Sequence, residues 1–527
     1  MTASSSVAIS APRAPIYGSR AMVVSGNSAA SLAAIAVLKR GGHVVDAMVA
    51  ASAVLTTVLG HATSIGGDCF LLFHDSSTGR TIGLNASGTA PAGATPDRFP
   101  DGMRLHGPLA PVVPGLVRGW EAMHRRYGTL PWTDLFDEAI ATAETHPVSH
   151  VLANWISAGR DKLAADPGCA ALYLPDGRPI TVGDTLRQPA LAATLRRIAE
   201  QGADGFYQGE TAERIAAYFA RHDGLISAAD LATYRPEWAE PVATTYRGHR
   251  VEVMPPNSYG MLLLMQLNGL SAIDSQALVA DPARRVAYQM NAMKAAFAQG
   301  EPWIADPRSV PGAAERLLGP AMVAAMQQAV LRGVAPAAIP DRRGTSCLLI
   351  ADAAGNAISL VQSVYNVFGS YFHEPQTGVL FNNRMQGFTH RPGQINSVGP
   401  GRRPAHTLCP VLVQRDGRVR FALASPGGLS QTLTNVQVLT SLVDAGMNVA
   451  AAVEAPRWCN RESGTGDFLV EPEFSDSVVA ALAAMGHSVK RRQDPFFYGS
   501  AKAIERFASG NLAGAADHRR EAFALGL

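Results

Sequence analysis

Thr345, a hydroxyl residue preceded by glycine, lies at the boundary between two segments of different composition. Arg343-Gly344-Thr345-Ser346 joins a charged, proline- and glycine-containing stretch, Ala337–Gly344, to a β-type run. A hydroxyl that begins a strand can attack the carbonyl just before it, and Gly344 has no side chain to block the attack. An N-to-O shift and ester hydrolysis would free the α-amine of Thr345, whose unperturbed pKa is roughly 8. That amine can serve as general base for its own hydroxyl. The spacing alone also fits an ordinary Gly-Thr entering a strand.

Other motifs for familiar chemistry are missing from the sequence. It contains no G-x-S-x-G, no H-E-x-x-H and no G-x-x-x-x-G-K-[ST]. Gly66-Gly67 and Gly427-Gly428 are isolated glycine pairs and are weak signals by themselves. The five cysteines are an odd number without a C-x-x-C pair, which argues against a disulfide framework and a zinc site. We therefore expect reduced thiols, no metal and no cofactor.

Composition and charge narrow the class of protein. Of 527 residues, 47% are hydrophobic and 17% are charged, which allows a large core. The net charge of +2 provides none of the basic excess that is typical of proteins that bind nucleic acid. The N-terminus lacks a secretory signal pattern. The uncharged run Ala47–Leu59 is rich in Ala, Ser and Thr and is followed by Gly60-His61, so we expect a buried helix rather than a membrane span. These features predict a soluble, cytoplasmic protein.

Periodicity predicts alternating helices and strands, with antiparallel hairpins after residue 340. Helices are expected at Ser31–Arg40, from Val44, around Ala212–Phe219 and from Met261. Strands are expected at Cys69–His74, Ser346–Ala351, Ala357–Ser363, Val411–Val413 and Val419–Leu423. This order indicates layered α and β structure around an antiparallel core.

Ordered motifs along nearly the whole chain resemble the γ-glutamyltranspeptidase family. The matching stretches include residues 41–47, 61–68, 89–92, 113–115, 206–209, 352–357, 378–383, 425–428 and 455–457. The resemblance implies an α+β fold, the four-layer αββα sandwich of N-terminal-nucleophile hydrolases. It also implies a precursor that cuts itself between Gly344 and Thr345. Residues 1–344 would then form a large subunit and residues 345–527 a small catalytic subunit.

The resemblance also assigns catalytic roles. Thr345 falls at the position of the nucleophile, and Ser363 matches the hydroxyl that steadies the nucleophile's amine. Gly427 and Gly428 match the glycine pair whose backbone N–H groups form the oxyanion hole, and such donors stabilise a transition state by about 3 kcal/mol.

The substrate clamp departs from the family pattern. Typical members hold a γ-glutamyl α-carboxylate with an arginine where this sequence has Ser87, and the α-amine with an aspartate where it has Gly387. Because a buried charge without a partner costs several kcal/mol, we expect glutathione to bind poorly. Four further residues differ from the family pattern and are expected, together with Ser87, to contact substrate: Tyr365, Arg384 and the pair His406-Thr407.

The chemistry of these substituted residues leaves alternatives open. Arg384 could clamp a carboxylate close to the nucleophile, which suits an oxalyl-type acid, or form a structural salt bridge. Tyr365 could donate a hydrogen bond to the oxyanion or to the substrate, or it could only pack against its neighbours. His406 could be an acid-base or binding residue, or it could be a hydrogen-bonded part of the pocket wall. This pattern resembles a divergent branch of the family that includes oxamate amidohydrolases and cephalosporin-acylase-like enzymes.

The sequence therefore predicts an autoprocessed amidohydrolase acting on a small carboxylated, oxamate-like amide or acyl compound. Three alternatives remain: a γ-glutamyl transferase or glutathione hydrolase with an altered clamp, a C–C bond hydrolase removing an oxalyl-type group, and an uncleaved binding protein on the same fold. The expected partners are a small-molecule substrate and the two subunits of one precursor, with a larger oligomer possible. Neither nucleic acid nor a membrane is expected as a partner.

Overall fold

Two seven-stranded antiparallel sheets form the centre of the molecule. The computed structural model describes residues 13–333, 344–460 and 467–527, so of the stretch Ala337–Gly344 only Gly344 lies inside the described part. In spatial order, sheet A consists of Phe523–Gly526, Ala21–Ser25, Ser346–Asp352, Ala357–Ser363, Asp68–Asp75, Arg80–Ala86 and Glu237–Ala239. Sheet B consists of Ile16–Gly18, Leu512–Ala516, Lys502–Arg506, Arg418–Ala424, Val411–Arg415, His249–Val253 and Val242–Tyr246.

The side chains of each strand alternate between two apolar layers, as the two-residue period of a strand requires. In Ser346–Asp352, Leu348 and Ile350 pack against helices, whereas Cys347 and Leu349 pack between the two sheets. A second helical layer covers the outer face of sheet B. The order helix, sheet, sheet, helix is the predicted αββα sandwich.

The helices of the described residues cover both sheets. Their bounds are Ser28–Lys39, Val44–Val58, Leu116–Tyr127, Asp137–Glu144, His150–Ala158, Arg160–Ala165, Pro167–Tyr173, Pro189–Gln201, Asp204–Tyr207, Gly209–Arg221, Ala228–Thr233, Gly260–Leu270, Ser275–Ala280, Pro282–Gly300, Ala313–Leu318, Pro320–Arg332, Ser430–Val443, Val449–Glu454 and Asp476–Ala484. Short strands outside the main sheets are His146–Pro147 with Thr185–Leu186, His373–Glu374 with Val379–Leu380, and the set Trp458–Cys459, Phe468–Val470 and Val489–Arg491.

The predicted core helix is present. Every residue of Val44–Val58 is buried, and a capping box between His43 and Asp46 begins the helix. The helix predicted around Ala212–Phe219 is Gly209–Arg221, in which Ala212, Ile215 and Phe219 are buried. Among the described residues, no helix combines the length and apolar character needed to cross a membrane.

Candidate active site

Three adjacent strands of sheet A end together beside Thr345. The register pairs Ser346 with Gln362 and Ser363 with Asp68, so Thr345, Ser363 and Asp68 form a row across the sheet. The residues two positions further into each strand pack between the sheets, so the two-residue period directs this row toward sheet B. The sequence thus places a hydroxyl, a second hydroxyl and a carboxylate at one end of the inter-sheet layer.

The hydroxyls of Thr345 and Ser363 both lie against the Gly344 carbonyl. Thr345 Oγ1 donates to Gly344 O at 2.7 Å and lies 3.3 Å from Ser363 Oγ. Ser363 Oγ also donates to Gly344 O, and it accepts from the Tyr365 backbone N–H at 2.6 Å. Thr345 and Ser363 are both buried. This arrangement polarises the carbonyl of the Gly344–Thr345 peptide bond.

Gly344 occupies a position that a larger residue would distort. Its φ is +127°, in a region that L side chains rarely adopt. A Cβ built on it would lie 2.4 Å from the Asn366 carbonyl carbon. Glycine therefore matters here both for its conformation and for the close approach of the Asn366 backbone.

The glycine pair predicted to form the oxyanion hole lies in the loop that follows a strand of sheet B. Gly427 and Gly428 have φ values of +144° and +58°. Their carbonyl oxygens accept from the N–H groups of Ser430 and Gln431 and lead the chain into the helix Ser430–Val443. Pro426, the residue just before the pair, lines the same cleft as Thr345. The role of the pair's own N–H groups stays a prediction.

Asp68 joins three of the substituted residues in one buried cluster. Arg384 donates to Asp68 from Nε at 3.2 Å and from Nη2 at 3.1 Å, and all three side chains of Asp68, Arg384 and His406 are fully buried. His406 Nε2 lies 2.7 Å from Asp68 Oδ2, and the Arg384 guanidinium sits 4.3 Å from the centre of the Tyr365 ring. Arg384 is thus engaged in a salt bridge. Within the described part of the chain, its Nη1 has no hydrogen-bond partner.

The charges in this cluster compensate one another. Burial raises the pKa of Asp68, but Arg384 and His406 outweigh it and hold the value at about 2. Burial and the positive charge of Arg384 lower the pKa of His406 to about 4, although Asp68 acts against them. At neutral pH the cluster therefore holds an Asp68 anion, an Arg384 cation and a neutral His406.

Ser87 and Thr407, the two remaining residues predicted to contact substrate, are both buried. Ser87 Oγ donates to Asn85 Oδ1 at 2.6 Å and accepts from Asn257 Nδ2 at 3.3 Å. Thr407 follows His406 directly along the chain. Neither residue lines the cleft beside Thr345, so their contact with substrate stays a prediction.

A cleft opens beside the nucleophile position, and we call it the Thr345 cleft. It is lined by Gly344, Thr345, Pro426 and Trp155, together with the polar side chains of His61, Lys502, Arg520 and Glu521. Sequence reasoning gave no role to these four polar residues or to Asp68. A signal was available for Lys502 and Asp68, because a charged residue at an inward position of an apolar strand is unusual.

Comparisons with known proteins agree with this geometry. The family model for gamma-glutamyltranspeptidase matches residues 30–527. The acylase ACY 1 proenzyme of Pseudomonas sp. (strain V22) is 34% identical, with 96% of this chain and 93% of that protein covered. The oxamate amidohydrolase proenzyme of Klebsiella pneumoniae is 32% identical, with 96% and 98% covered. The crystal structure of cephalosporin acylase from Bacillus halodurans superposes with a TM-score of 0.92 at 31% identity, over 100% of this chain and 99% of that one.

Proposed function

Because the chain belongs to the gamma-glutamyltranspeptidase family, whose members are hydrolases and acylases, we propose that it cuts itself before Thr345 and then hydrolyses a small carboxylated amide. The observation that carries the proposal is the Gly344 carbonyl, which receives the hydroxyls of both Thr345 and Ser363. The names of two relatives, an acylase proenzyme and an oxamate amidohydrolase proenzyme, support the reaction class.

Self-cleavage follows from the position of the Thr345 hydroxyl. Thr345 Oγ1 attacks the Gly344 carbonyl carbon, the C–N bond breaks, and the nitrogen takes the proton, which leaves an ester. Water then hydrolyses that ester and releases residues 1–344 with a carboxylate at Gly344. The α-amine and hydroxyl of Thr345 are both free in the product.

Turnover repeats the attack on an external amide. The α-amine of Thr345 accepts the hydroxyl proton while Oγ1 adds to the substrate carbonyl carbon. The N–H groups of Gly427 and Gly428 stabilise the oxyanion. The proton passes to the leaving amine, and water later releases the acid from the Thr345 ester.

The substrate is an amide of a short acid rather than a γ-glutamyl compound. Ser87 and Gly387 replace the two charged partners that a γ-glutamyl zwitterion needs, and Ser87 is held within a buried amide and hydroxyl network. Arg384 is paired with Asp68 and offers its Nη1 to the substrate, and Tyr365, His406 and Thr407 are the other residues that we place around the acid. An oxamate-like substrate fits this set.

A γ-glutamyl transferase activity is the second candidate, favoured by the match to the family model. It predicts fast turnover of γ-glutamyl-p-nitroanilide that glycylglycine accelerates. Our proposal predicts weak turnover of that compound, unchanged by glycylglycine, and faster hydrolysis of oxamate to oxalate and ammonia.

Substitution of Thr345 tests the shared mechanism. We expect the wild-type chain to appear as two pieces by intact mass, Thr345→Ala to remain one chain of 55.5 kDa, and Thr345→Ser to cleave more slowly at the same bond. Incubation with small amides should add an acyl mass to the piece that begins at residue 345. Cleavage of the Thr345→Ala variant, or a wild-type chain that stays uncut, would contradict the proposal.

A further inference from the structure

We propose that the Thr345 cleft binds a carboxylate of the substrate through Lys502 and Arg520, with His61 as a hydrogen-bonding partner. This inference rests on the proposed function, since it names the charge that the substrate carries beside the nucleophile. These three residues are distinct from the buried cluster around Arg384, because no residue of that cluster lines the Thr345 cleft.

Lys502 is a buried cation in need of a counter-charge. It begins the strand Lys502–Arg506, and Ile504, two positions along, packs between the sheets, so Lys502 points into the same layer as Thr345. Its side chain is only 2% exposed, and its Nζ donates to the Ser500 carbonyl at 3.3 Å. In the part of the chain that the structure describes, no carboxylate lies within ion-pair distance of it.

The Cys347 thiol, which interacts with Lys502, does not supply negative charge. Burial raises the pKa of the Cys347 thiol, although Lys502 acts to lower it, so the thiol is neutral at pH 7. A buried ammonium ion without a counter-ion is unfavourable. An anion that enters the Thr345 cleft would remove that penalty.

His61 offers a polar atom to the same cleft. Its side chain is 6% exposed, and its Nδ1 has no hydrogen-bond partner among the described residues. Burial and the charge of Arg520 lower the pKa of His61 to about 3, so the imidazole is neutral. A neutral imidazole carries one N–H, which can donate to a carboxylate oxygen.

Charged side chains of both signs line the Thr345 cleft. Lys502 and Arg520 are positive, and Glu521 is the acidic residue of the lining. Burial raises the pKa of Glu521, although Ser149 and His150 act against it. The ammonium of Lys502 has no carboxylate within ion-pair distance among the described residues, and a substrate carboxylate in the cleft would supply that counter-charge. In the Arg384 cluster, by contrast, Asp68 already balances the arginine.

Calorimetric titration with unreactive probes tests the inference without requiring turnover. Lactate and 4-hydroxybutyrate each carry one carboxylate and no amide, and propane-1,2-diol and butane-1,4-diol are their neutral counterparts. We expect at least one carboxylate to bind the wild-type protein and its diol to bind at least tenfold more weakly. Lys502→Met and Arg520→Met should each weaken carboxylate binding at least tenfold, and Arg520→Lys should retain part of it.

A matched variant controls for the general loss of a positive charge. Lys39→Met removes an exposed lysine and should bind like wild type. Failure of both carboxylates to bind, or unchanged binding in both Met variants, would overturn the inference. So would a Lys502→Met protein that binds carboxylate normally but shows a shifted pH profile of hydrolysis, because Lys502 would then act on the Thr345 amine. If Lys502→Met does not fold, Arg520→Met decides the question alone.

The proposed function and this inference fail in different measurements. Absence of self-cleavage and of an acyl adduct, both read by mass, counts against the function. The Thr345 cleft is present in the uncut chain, so carboxylate binding can be measured in either case.

Discussion

At the scale of single residues, Ser363 carries a contact whose strength can be measured. Its hydroxyl donates to the Gly344 carbonyl and is itself held by the Tyr365 backbone N–H. A donor on the carbonyl under attack stabilises the negative charge that develops there. Ser363 therefore acts in the self-cleavage step before any substrate is present.

Removal of this hydroxyl should slow self-cleavage. We expect Ser363→Ala to lengthen the half-life of the uncut chain about a hundredfold, the typical effect of losing one such donor. Gel analysis of freshly made protein over time measures it. Ser359→Ala is the matched control, since Ser359 lies on the same strand and face but donates to Leu423. Equal rates for the two variants would contradict a role for Ser363.

At the scale of elements, the ends of strands and loops assemble the buried cluster around Asp68. Asp68 begins one strand of sheet A, Arg384 lies in a short 3-10 turn, and His406 lies in the segment that leads to the strand Val411–Arg415 of sheet B. Each of these side chains is fully buried, so the elements can hold them only as a charge-balanced set.

Neutralising Asp68 should destabilise the fold. Asp68→Asn leaves the Arg384 cation buried without its anion, and we expect a loss of about 3–5 kcal/mol in the free energy of unfolding by urea. The control is Glu240→Gln, which breaks the exposed Arg80–Glu240 pair and should cost less than about 1 kcal/mol. A loss in Asp68→Asn as small as the control would show that the cluster contributes little to stability.

At the scale of the whole molecule, each of the two sheets contains strands from both sides of Thr345. In sheet A, Ser346–Asp352 lies beside Ala21–Ser25, and Ala357–Ser363 lies beside Asp68–Asp75. In sheet B, Val411–Arg415 lies beside His249–Val253. Separation of the two pieces would break hydrogen bonds in both sheets and expose the layer between them.

The two pieces should therefore stay together after cleavage. We expect residues 1–344 and 345–527 to elute as one species in size-exclusion chromatography and to part only in denaturant. The uncut Thr345→Ala chain is the reference for the elution volume. Two separate peaks under native conditions would contradict this prediction.

Buried histidines make the stability of the whole molecule depend on pH. Burial lowers the pKa of His406 from 6.5 to about 4, with Arg384 contributing. Between these values the unfolded chain binds more protons than the folded one, so this contribution to stability falls as the pH drops from about 6.5 to 4. The Asp68 carboxylate, with a pKa of about 2, stays ionised across that window.

Urea unfolding between pH 7.5 and 4.5 measures this dependence. We expect His406→Gln to lose less stability than wild type over the window, because glutamine takes up no proton. His518→Gln, at an exposed site, should follow wild type. Parallel curves for His406→Gln and wild type would contradict the prediction, because they would show that the pKa of His406 is the same in the folded and unfolded chains.

The sequence by itself determined the local structure and the family. The start of the helix at Val44 and the strand Ala357–Ser363 were readable from the types of neighbouring residues along the chain. The position of Thr345 after Gly344, at the start of a strand, was likewise readable, and so was the loss of the glutamyl clamp at Ser87.

Only the tertiary structure decided which charges meet. Arg384 lies 316 positions from Asp68, and Lys502 reaches the Thr345 cleft from the other sheet. Such pairings depend on strand register and on how the two sheets stack, and no local period encodes either of them. The sequence therefore indicated the nucleophile and its chemistry. The stacking of the sheets determined that Asp68 balances Arg384 and that Lys502 lies beside Thr345 with no carboxylate partner among the described residues.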